Sequence, residues 1–365
     1  MRITSVGIRG AGLSGLSVAR ELLREDPRLT ITIFDTRHRL PHPTRTFCFF
    51  RPSDFRSSAI PSISWDTVIF RGRSFERRLD VSHRPYTMIQ GDDFFSTTLR
   101  ELEEGGVHFR WDCAAVEIHG NSIQVGNETQ RFDLVIDAAF EAEGAQSTLW
   151  QSFAGVWVTM DVPSFDPSAA ILMDLEESSA EAPVSFLYIL PTSQRTALVE
   201  HTTFSPSPMA KEYHLERCFA WLGRHHPGTS QRGATEYGRI PMGLQRSPNQ
   251  GARLVGSAAG VVRPATGYAF LRAQEHARQV ALHLLGKGGA PSKPYPSWLT
   301  IADSLFLRAL RNTPEQGGHI MERLLSRARA DSLVAFLSGD VGPLDAVSVW
   351  ASVPKCTMIR SLLRV

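Results

Sequence analysis

An α/β fold is expected from this sequence: a Rossmann-like dinucleotide-binding domain, a separate antiparallel β-sheet domain and a set of C-terminal helices. Three observations predict it. A short apolar strand runs straight into Gly10-Ala11-Gly12-Leu13-Ser14-Gly15, and an acid, Asp35, closes the strand that follows. The stretch from Phe153 to Phe204 alternates apolar and polar residues in several short runs. Beyond Pro296, apolar residues recur at helical spacing.

The elements follow in order. Arg2 to Ile8 reads as a strand, and Leu16, Val18, Ala19, Leu22 and Leu23 space a helix after the glycines. Leu29 to Phe34 is the second strand, so the chain opens as a βαβ unit. Pro41 to Pro61, rich in Pro, Arg and Ser, reads as a long loop. Asp92 and Asp93 open a helix through Leu102. Strands are expected at Val107–Trp111, Ala115–His119, Ser122–Val125 and Leu134–Ala138. A second sheet is expected from Ala170–Met173, Phe186–Leu190 and Ala197–Val199, with a helix over Tyr213–Leu222. Arg253–Val255 is a further short strand, and a helix is expected over Tyr268–Leu285. After a linker holding Pro291, Pro294 and Pro296, amphipathic helices are expected at Trp298–Leu310 and Ile320–Leu337.

Composition narrows the class. The chain has 365 residues, 42% of them hydrophobic, which suffices for a large core in two or three units. A net charge of +2 and a pI near 8.4 argue against nucleic acid as a partner. Weak attraction to anionic lipid stays open. Cys48, Cys113, Cys218 and Cys356 are scattered, so neither a zinc site nor a disulfide framework is expected. The first strand leads directly into the glycine turn, and no run of about 18 apolar residues occurs. Neither a signal peptide nor a membrane-spanning helix is therefore expected. The expected location is cytoplasmic, with membrane association open.

Gly10, Gly12 and Gly15 are the three glycines of a dinucleotide turn: one for the tight bend, one for close approach of a pyrophosphate, one for helix–strand packing. The following helix presents free N–H groups and the positive end of its dipole to phosphate. Asp35, twenty residues beyond Gly15, is placed to accept ribose hydroxyls. These features do not choose between NAD and FAD. A second glycine-rich turn, Gly256-Ser257-Ala258-Ala259-Gly260, precedes Pro264-Ala265-Thr266-Gly267 and a helix beginning near Tyr268. A flavin needs such a distant second contact, whereas a simple NAD domain does not. The alternative is a plain packing turn.

Seven segments then resemble, in order, those of the flavoprotein lycopene cyclases of the β/ε type. Thr44-Arg45-Thr46-Phe47-Cys48-Phe49-Phe50 looks like R-T-W-C-F-W, Trp150 to Gly155 like W-Q-x-F-x-G, and Ile171 to Asp174 like L-M-D. Phe186 to Pro191 resembles F-x-Y-x-L-P, Ala197 to Thr202 resembles A-L-V-E-x-T, and Gly238 to Met242 resembles G-x-I-P-M. Gly256 to Tyr268 resembles G-x-x-G-x-x-x-P-x-T-G-Y. The sequence departs from the pattern at Phe47, Phe50 and the Ala138-Ala139-Phe140 segment. Phe47 and Phe50 stand where the family has tryptophan, and these departures bear on the exact substrate.

The resemblance implies a Rossmann-like FAD-binding domain of the glutathione reductase/p-hydroxybenzoate hydroxylase type, with an antiparallel β-sheet substrate domain and C-terminal helices. The expected division is 1–60, 86–145 and 250–290 for FAD, 61–85 and 146–249 for substrate, and 291–365 for the helical region. It further implies an isomerase that cyclises the ψ end group of lycopene or a related carotene by proton addition, with no net oxidation. FAD would act reduced, with NAD(P)H as reductant. Glu200, at the family's glutamate position in an apolar strand, is the expected general acid. Asp174 is expected as a base or cation stabiliser, or else as a turn residue. The expected cofactor-binding set is Gly10, Ala11, Gly12, Leu13, Ser14, Gly15, Asp35, Arg45, Val116, Ala138, Gly256, Ser257, Gly267 and Tyr268. His225 and His226 read as loop residues. The expected partner is an apolar polyene or prenyl substrate. Competing readings are an FAD/NAD(P)H monooxygenase or reductase, a cyclase of a shorter prenylated metabolite, and a non-catalytic binding protein.

Overall fold

A computed structural model describes residues 3–39, 45–53, 55, 60–114, 116–140, 146–226, 228, 230–243 and 253–363. A five-stranded parallel sheet runs in the order Arg253–Leu254, Leu134–Asp137, Ser5–Arg9, Thr30–Phe34, His108–Arg110. Val6, Ile8, Ile31, Ile33 and Ile136 share one core with the helices Leu13–Glu25, Gly91–Glu104 and Phe270–Leu284. On the opposite face Phe34, Val116, Ile123, Phe132 and Val135 make a second, smaller core under a meander of Glu117–His119, Ser122–Val125 and Glu128–Arg131. Successive residues of a strand point to opposite faces, so both cores come from one short set of strands.

The second sheet has seven strands, in the order Ser230–Met242, Leu149–Met160, Thr196–Ser205, Val184–Pro191, Ala169–Leu175, Thr67–Gly72, Phe75–Asp80. All pairs are antiparallel except Ala169–Leu175 with Thr67–Gly72, which is parallel. One face carries Leu172, Phe186, Leu190 and Leu198, packed with Leu307, Leu310, Leu324 and Leu333 of the C-terminal helices. The other carries Val156, Leu187, Ile189 and Val199, covered by Cys218, Trp221 and Leu222 of the helix Lys211–His225. Burial on both sides makes Val184–Pro191 apolar almost throughout.

Several expected elements are corrected. The Pro41–Pro61 loop contains a strand, Thr46–Phe50, paired with Tyr86–Gln90, which also pairs with Ile63–Trp65. Arg45 and Pro52 frame a run too short to show strand periodicity by itself. The helix expected over Ile320–Leu337 is two, Gly317–Arg327 and Ala330–Ser338, because Ala328 turns to extended backbone and buries its methyl. Two further helices follow, Pro343–Ser352 and Lys355–Leu363; the first starts on a proline, with Asp345 accepting from the Gly342 N–H. The helix expected at Tyr268–Leu285 runs Phe270–Leu284. Arg2, Thr44, Ala115 and Pro227 lie outside the described residues.

Among the described residues no single helix is long and apolar enough to cross a membrane. Arg263, fully buried, is paired with Asp303 at 3.1 Å and lies against the Phe336 ring. That buried pair ties the segment after the second glycine turn to the C-terminal helices.

Candidate active site

The glycine turn sits where strand Ser5–Arg9 ends. Gly10 has φ +99°, a left-handed geometry that a side chain resists. A Cβ on Gly15 would meet the Gly10 carbonyl oxygen at 1.9 Å, so the helix can approach this closely only with glycine. A Cβ on Gly12 would meet nothing within 4 Å, and no side chain caps the helix it starts. Open space at the second glycine and uncapped N–H groups at Leu13 and Ser14 fit a pyrophosphate. Ala138 borders the turn, donating its N–H to the Arg9 carbonyl at 2.8 Å. Gly256 and Ser257 begin a short 3₁₀ turn, and Gly256 lies directly over the Ser14 side chain. The two distant turns therefore meet at one helix N-terminus.

Asp35 stands at the mouth of this turn, but both of its oxygens are engaged. Oδ2 accepts from the Ala11 N–H at 2.6 Å and from Arg37 at 2.7 Å; Oδ1 accepts from the Arg37 N–H and Nε. Burial opposes the charge, yet the Arg37 bonds win and hold the carboxyl below its usual range. A ribose reaching Asp35 has to displace the half-exposed Arg37 side chain. Val116 is placed differently from the rest of the expected set: its side chain packs in the small meander core and its carbonyl accepts from Arg9. Arg45 is exposed and lies within electrostatic reach of Arg37 on one side and Glu236 on the other.

Flavin-like chemistry also needs polar atoms that the protein leaves free. Gln151 Oε1 and Thr266 Oγ1 are buried with no partner among the described residues. Gln151 lies against Gly267, where a Cβ would approach its Oε1 to 2.3 Å. The polar edge of a ring bound beside the Gly267 turn would satisfy both. The residues present thus fit FAD at both ends.

The carboxyls come together in a way the sequence alone does not reveal. Gly155 pairs with Glu200 on one side and with Glu236 on the other. The two side chains face each other over the missing Cβ, which would lie 3.2 Å from Glu200 Cβ and 3.3 Å from Glu236 Cγ. Glu236 is 1% exposed. Glu200 keeps some accessible surface, yet desolvation dominates its ionisation. Burial first, then the neighbouring Glu236, pushes the Glu200 carboxyl well above the usual carboxylate range. Burial also raises Glu236, against bonds from Glu200 and Thr46 and the charge of Arg45. Glu236 carried a signal in the sequence, an acid in an otherwise β-patterned run four residues before Ile240. On an edge strand that pattern also suits a solvated side chain. Here the Thr46–Phe50 strand lies against the inner face, and Thr46 Oγ1 donates to Glu236 Oε1 at 3.1 Å.

Alternation along Thr46–Phe50 supplies the rest of the wall. Thr46, Cys48 and Phe50 point toward the second sheet, whereas Phe47 and Phe49 stack on Phe270 at 5.1 Å. Phe50 is buried against Tyr86 at 5.1 Å and does not line the cleft. The Tyr86 and Tyr268 hydroxyls are 3.3 Å apart, and Tyr188 bonds to Tyr268. Tyr188 and Tyr268 also line a small apolar cavity, about 20 Å³, with Met173, Phe204, Phe306 and Leu324. Tyr188 pairs with Glu200 across the sheet, so one wall of the cavity adjoins that acid.

Asp174 is not part of this cluster. Its Oδ2 accepts from Trp221 Nε1 at 2.9 Å on the outer face of the sheet, under the helix Lys211–His225. The irregular register between Ile171 and Asp174 reverses the face that simple alternation from Leu172 assigns. His225 ends that helix and His226 caps it; both pack on Trp221.

Parallel sheet, glycine turn and open second sheet together define the class by its fold, one shared by many flavin-dependent enzymes. The chain belongs to the lycopene cyclase family, whose family model, described as "Lycopene cyclase protein", matches residues 6–363. It is 25% identical over 317 residues to the chloroplastic lycopene beta cyclase of Nicotiana tabacum, covering 78% of this chain and 61% of that protein. It is 27% identical over 214 residues to the chloroplastic neoxanthin synthase of Solanum tuberosum, covering 52% of this chain and 42% of that one. The chain thus spans roughly half of the length of these relatives. Among solved structures, a geranylgeranyl bacteriochlorophyll reductase-like protein from Thermoplasma acidophilum aligns over 99% of this chain and 100% of its own. Its TM-score is 0.62 at 16% identity. A flavin-dependent halogenase from Xanthomonas campestris aligns over 100% and 96% with a TM-score of 0.60 at 10% identity. At such identities the likeness shows the fold.

Proposed function

We propose that this protein closes a ring at the ψ end of lycopene or a related carotene, by acid catalysis with no net redox change. The observation that carries the reading is Glu200: a carboxyl facing a second acid across Gly155, with burial and that acid both opposing its ionisation. An alkene is a very weak base, so a proton donor must be available near neutrality, and the cation it creates must be screened from water. Glu200 donates the proton to the terminal double bond. The neighbouring double bond attacks the tertiary cation and closes the six-membered ring. Loss of a ring proton to the carboxyl pair completes the cycle. Tyr86, Tyr188 and Tyr268 hold the cleft's shape, and Phe306 and Leu324 exclude water from the polyene.

FAD is the proposed cofactor, held by Gly12, Leu13 and Ser14 at its phosphates and by Gln151 and Thr266 at its ring. In the reduced, anionic form it supplies negative charge beside the cation, and NAD(P)H is the proposed reductant. Anaerobic incubation with lycopene in liposomes, FAD and a chemical reductant tests the reading. Cyclic carotene of unchanged mass, lost in Glu200→Gln, supports it. Oxygen uptake matched to NAD(P)H consumption on another lipid would replace it with an oxygenase.

We also propose that the substrate is drawn from an anionic bilayer. Helix Ser297–Asn312 exposes Trp298, Ile301 and Leu305 outward, with exposed Arg308 and Arg311 beside them. Its one acid, Asp303, is buried on Arg263. Phe306 on the same helix lines the cavity. Flotation with phosphatidylglycerol vesicles should exceed that with phosphatidylcholine and should fall in Trp298→Ala/Ile301→Ser. Equal flotation of the double variant would contradict it.

A further inference from the structure

We propose that Glu236 is a positioning residue for Glu200: the two carboxyls share one proton across Gly155, and Glu236 ensures that Glu200 is re-protonated after every turnover. The proposal rests on Glu200 being the acid. Three geometric facts carry it. Both residues pair with the same glycine, from opposite neighbouring strands. Any larger residue at 155 would occupy the space between them. Glu236 Oε2 is buried without a donor. If both groups were ionised, two anions would face each other across Gly155. With one proton between them, Glu200 donates to the Glu236 carboxylate, and the pair is satisfied.

A buried acid with a merely structural task would be fully paired. Glu236 instead has one oxygen bound by Thr46, the other without a partner among the described residues, and Glu200 as its facing group. Arg45 acts on it from a distance and biases the charge toward Glu236 rather than Glu200. Cys48, Tyr188, Cys218 and Tyr268 lie within electrostatic reach of Glu200, with Tyr86 beside them. Burial pushes all five upward, Cys218 and Tyr268 to about 12, so none competes for the proton near neutrality.

The proton balance closes. At rest the pair holds one proton and one negative charge. Transfer of that proton to a substrate carbon breaks the Glu200 O–H bond and forms a C–H bond. The pair then carries two charges beside one carbocation. Each carboxylate stabilises the cation, and their mutual repulsion drives recapture of a proton from the ring. The C–H bond that breaks returns its electron pair to the substrate as the new double bond. No electron is consumed.

Infrared titration of the purified, FAD-reconstituted protein tests the pair without any substrate. Wild type should keep one protonated-carboxyl band above neutral pH, and Glu200→Gln should lack it. In Glu236→Gln the band should persist but titrate lower by about one unit or more, since a neutral amide replaces the like charge. Glu236→Asp retains the charge and should keep the band high, which separates charge from folding if the amide variant is unstable. The alkaline limb of the cyclisation rate should move down with the band in Glu236→Gln, with partial recovery at lower pH. A band that titrates at the wild-type pH in Glu236→Gln, or an equal rate loss at every pH, would overturn the proposal. A wild-type band of the expected behaviour without cyclised product would overturn the cyclase reading and leave the shared proton standing.

Discussion

Glu200 and His201 are neighbours on one strand, yet they face two different kinds of polar cluster. On the outer face, under the helix Lys211–His225, the polar groups partner one another. His201 Nδ1 meets His214 Nδ1 at 2.8 Å, and its Nε2 lies 2.9 Å from Ser185 Oγ and 3.2 Å from Glu176. His214 Nε2 reaches Ser152 Oγ at 3.2 Å, and Asp174 is bound by Trp221. On the inner face Glu236, Gln151 and Thr266 each leave a buried atom unpaired. The outer network uses its polar groups to hold a helix to the sheet. The inner one withholds them for a ligand and a proton. Between these two faces, unsatisfied buried atoms, and not the mere presence of acids, make the difference.

The largest effect expected is on the inner face. Glu200→Gln should lower the cyclisation rate by about 10²–10⁴-fold, the usual contribution of a general acid. Asp174→Asn should change it by less than about threefold; a loss comparable to that of Glu200→Gln would erase the distinction between the faces.

The two faces should also fail at opposite ends of the pH scale. His214 is pushed down to about 3 by burial and by His201. Its unfolded form therefore binds a proton first, so stability is intact above the usual histidine value and is lost as pH falls toward 3. Between the usual value and pH 5 that loss should reach about 2 kcal/mol, at about 1.4 kcal/mol per unit, and thermal melts of His214→Gln should not show it. Glu200 has the reverse sign. Its folded-state value is raised, so stability falls as pH rises above the usual glutamate range. Glu200→Gln should melt higher than wild type at alkaline pH while losing activity, a combination the outer face does not offer.

Asp303→Ala breaks the buried pair with Arg263 and leaves a stranded cation. A loss of about 3–5 kcal/mol is expected in chemical denaturation, because one partner stays buried and uncompensated. Gly155→Ala brings a methyl within 2.9 Å of Leu198 Cδ1 and between the acids. A cost of about 1–3 kcal/mol is expected, with a rate loss greater than that of a matched outer-face overpacking such as Ala197→Val. The smallest effect should come from Trp221→Phe, which removes the donor to Asp174: about 1 kcal/mol of stability and an unchanged rate.

Much of this is legible in the sequence. The glycines before Leu16, the acid at 35 and the uninterrupted run Phe186–Leu190 each encode their own local geometry. Glu200 can be read from the apolar strand around it together with the family resemblance. Other features depend on partners distant in sequence. Glu236 meets Thr46, from a segment read as loop, and Glu200 across Gly155, partners far away in sequence. Asp174 changes face through an irregular register, which alternation alone does not reveal. The break at Ala328 arises from tertiary packing of its methyl, since the sequence around it is helix-compatible throughout.

The most direct test is a single turnover, without oxygen, of reduced enzyme pre-equilibrated in D₂O. If Glu200 initiates ring closure, the product gains one deuterium per ring formed and no NAD(P)H is consumed. Product with no deuterium, or with hydride and oxygen consumed in step with it, would contradict acid-initiated, redox-neutral cyclisation.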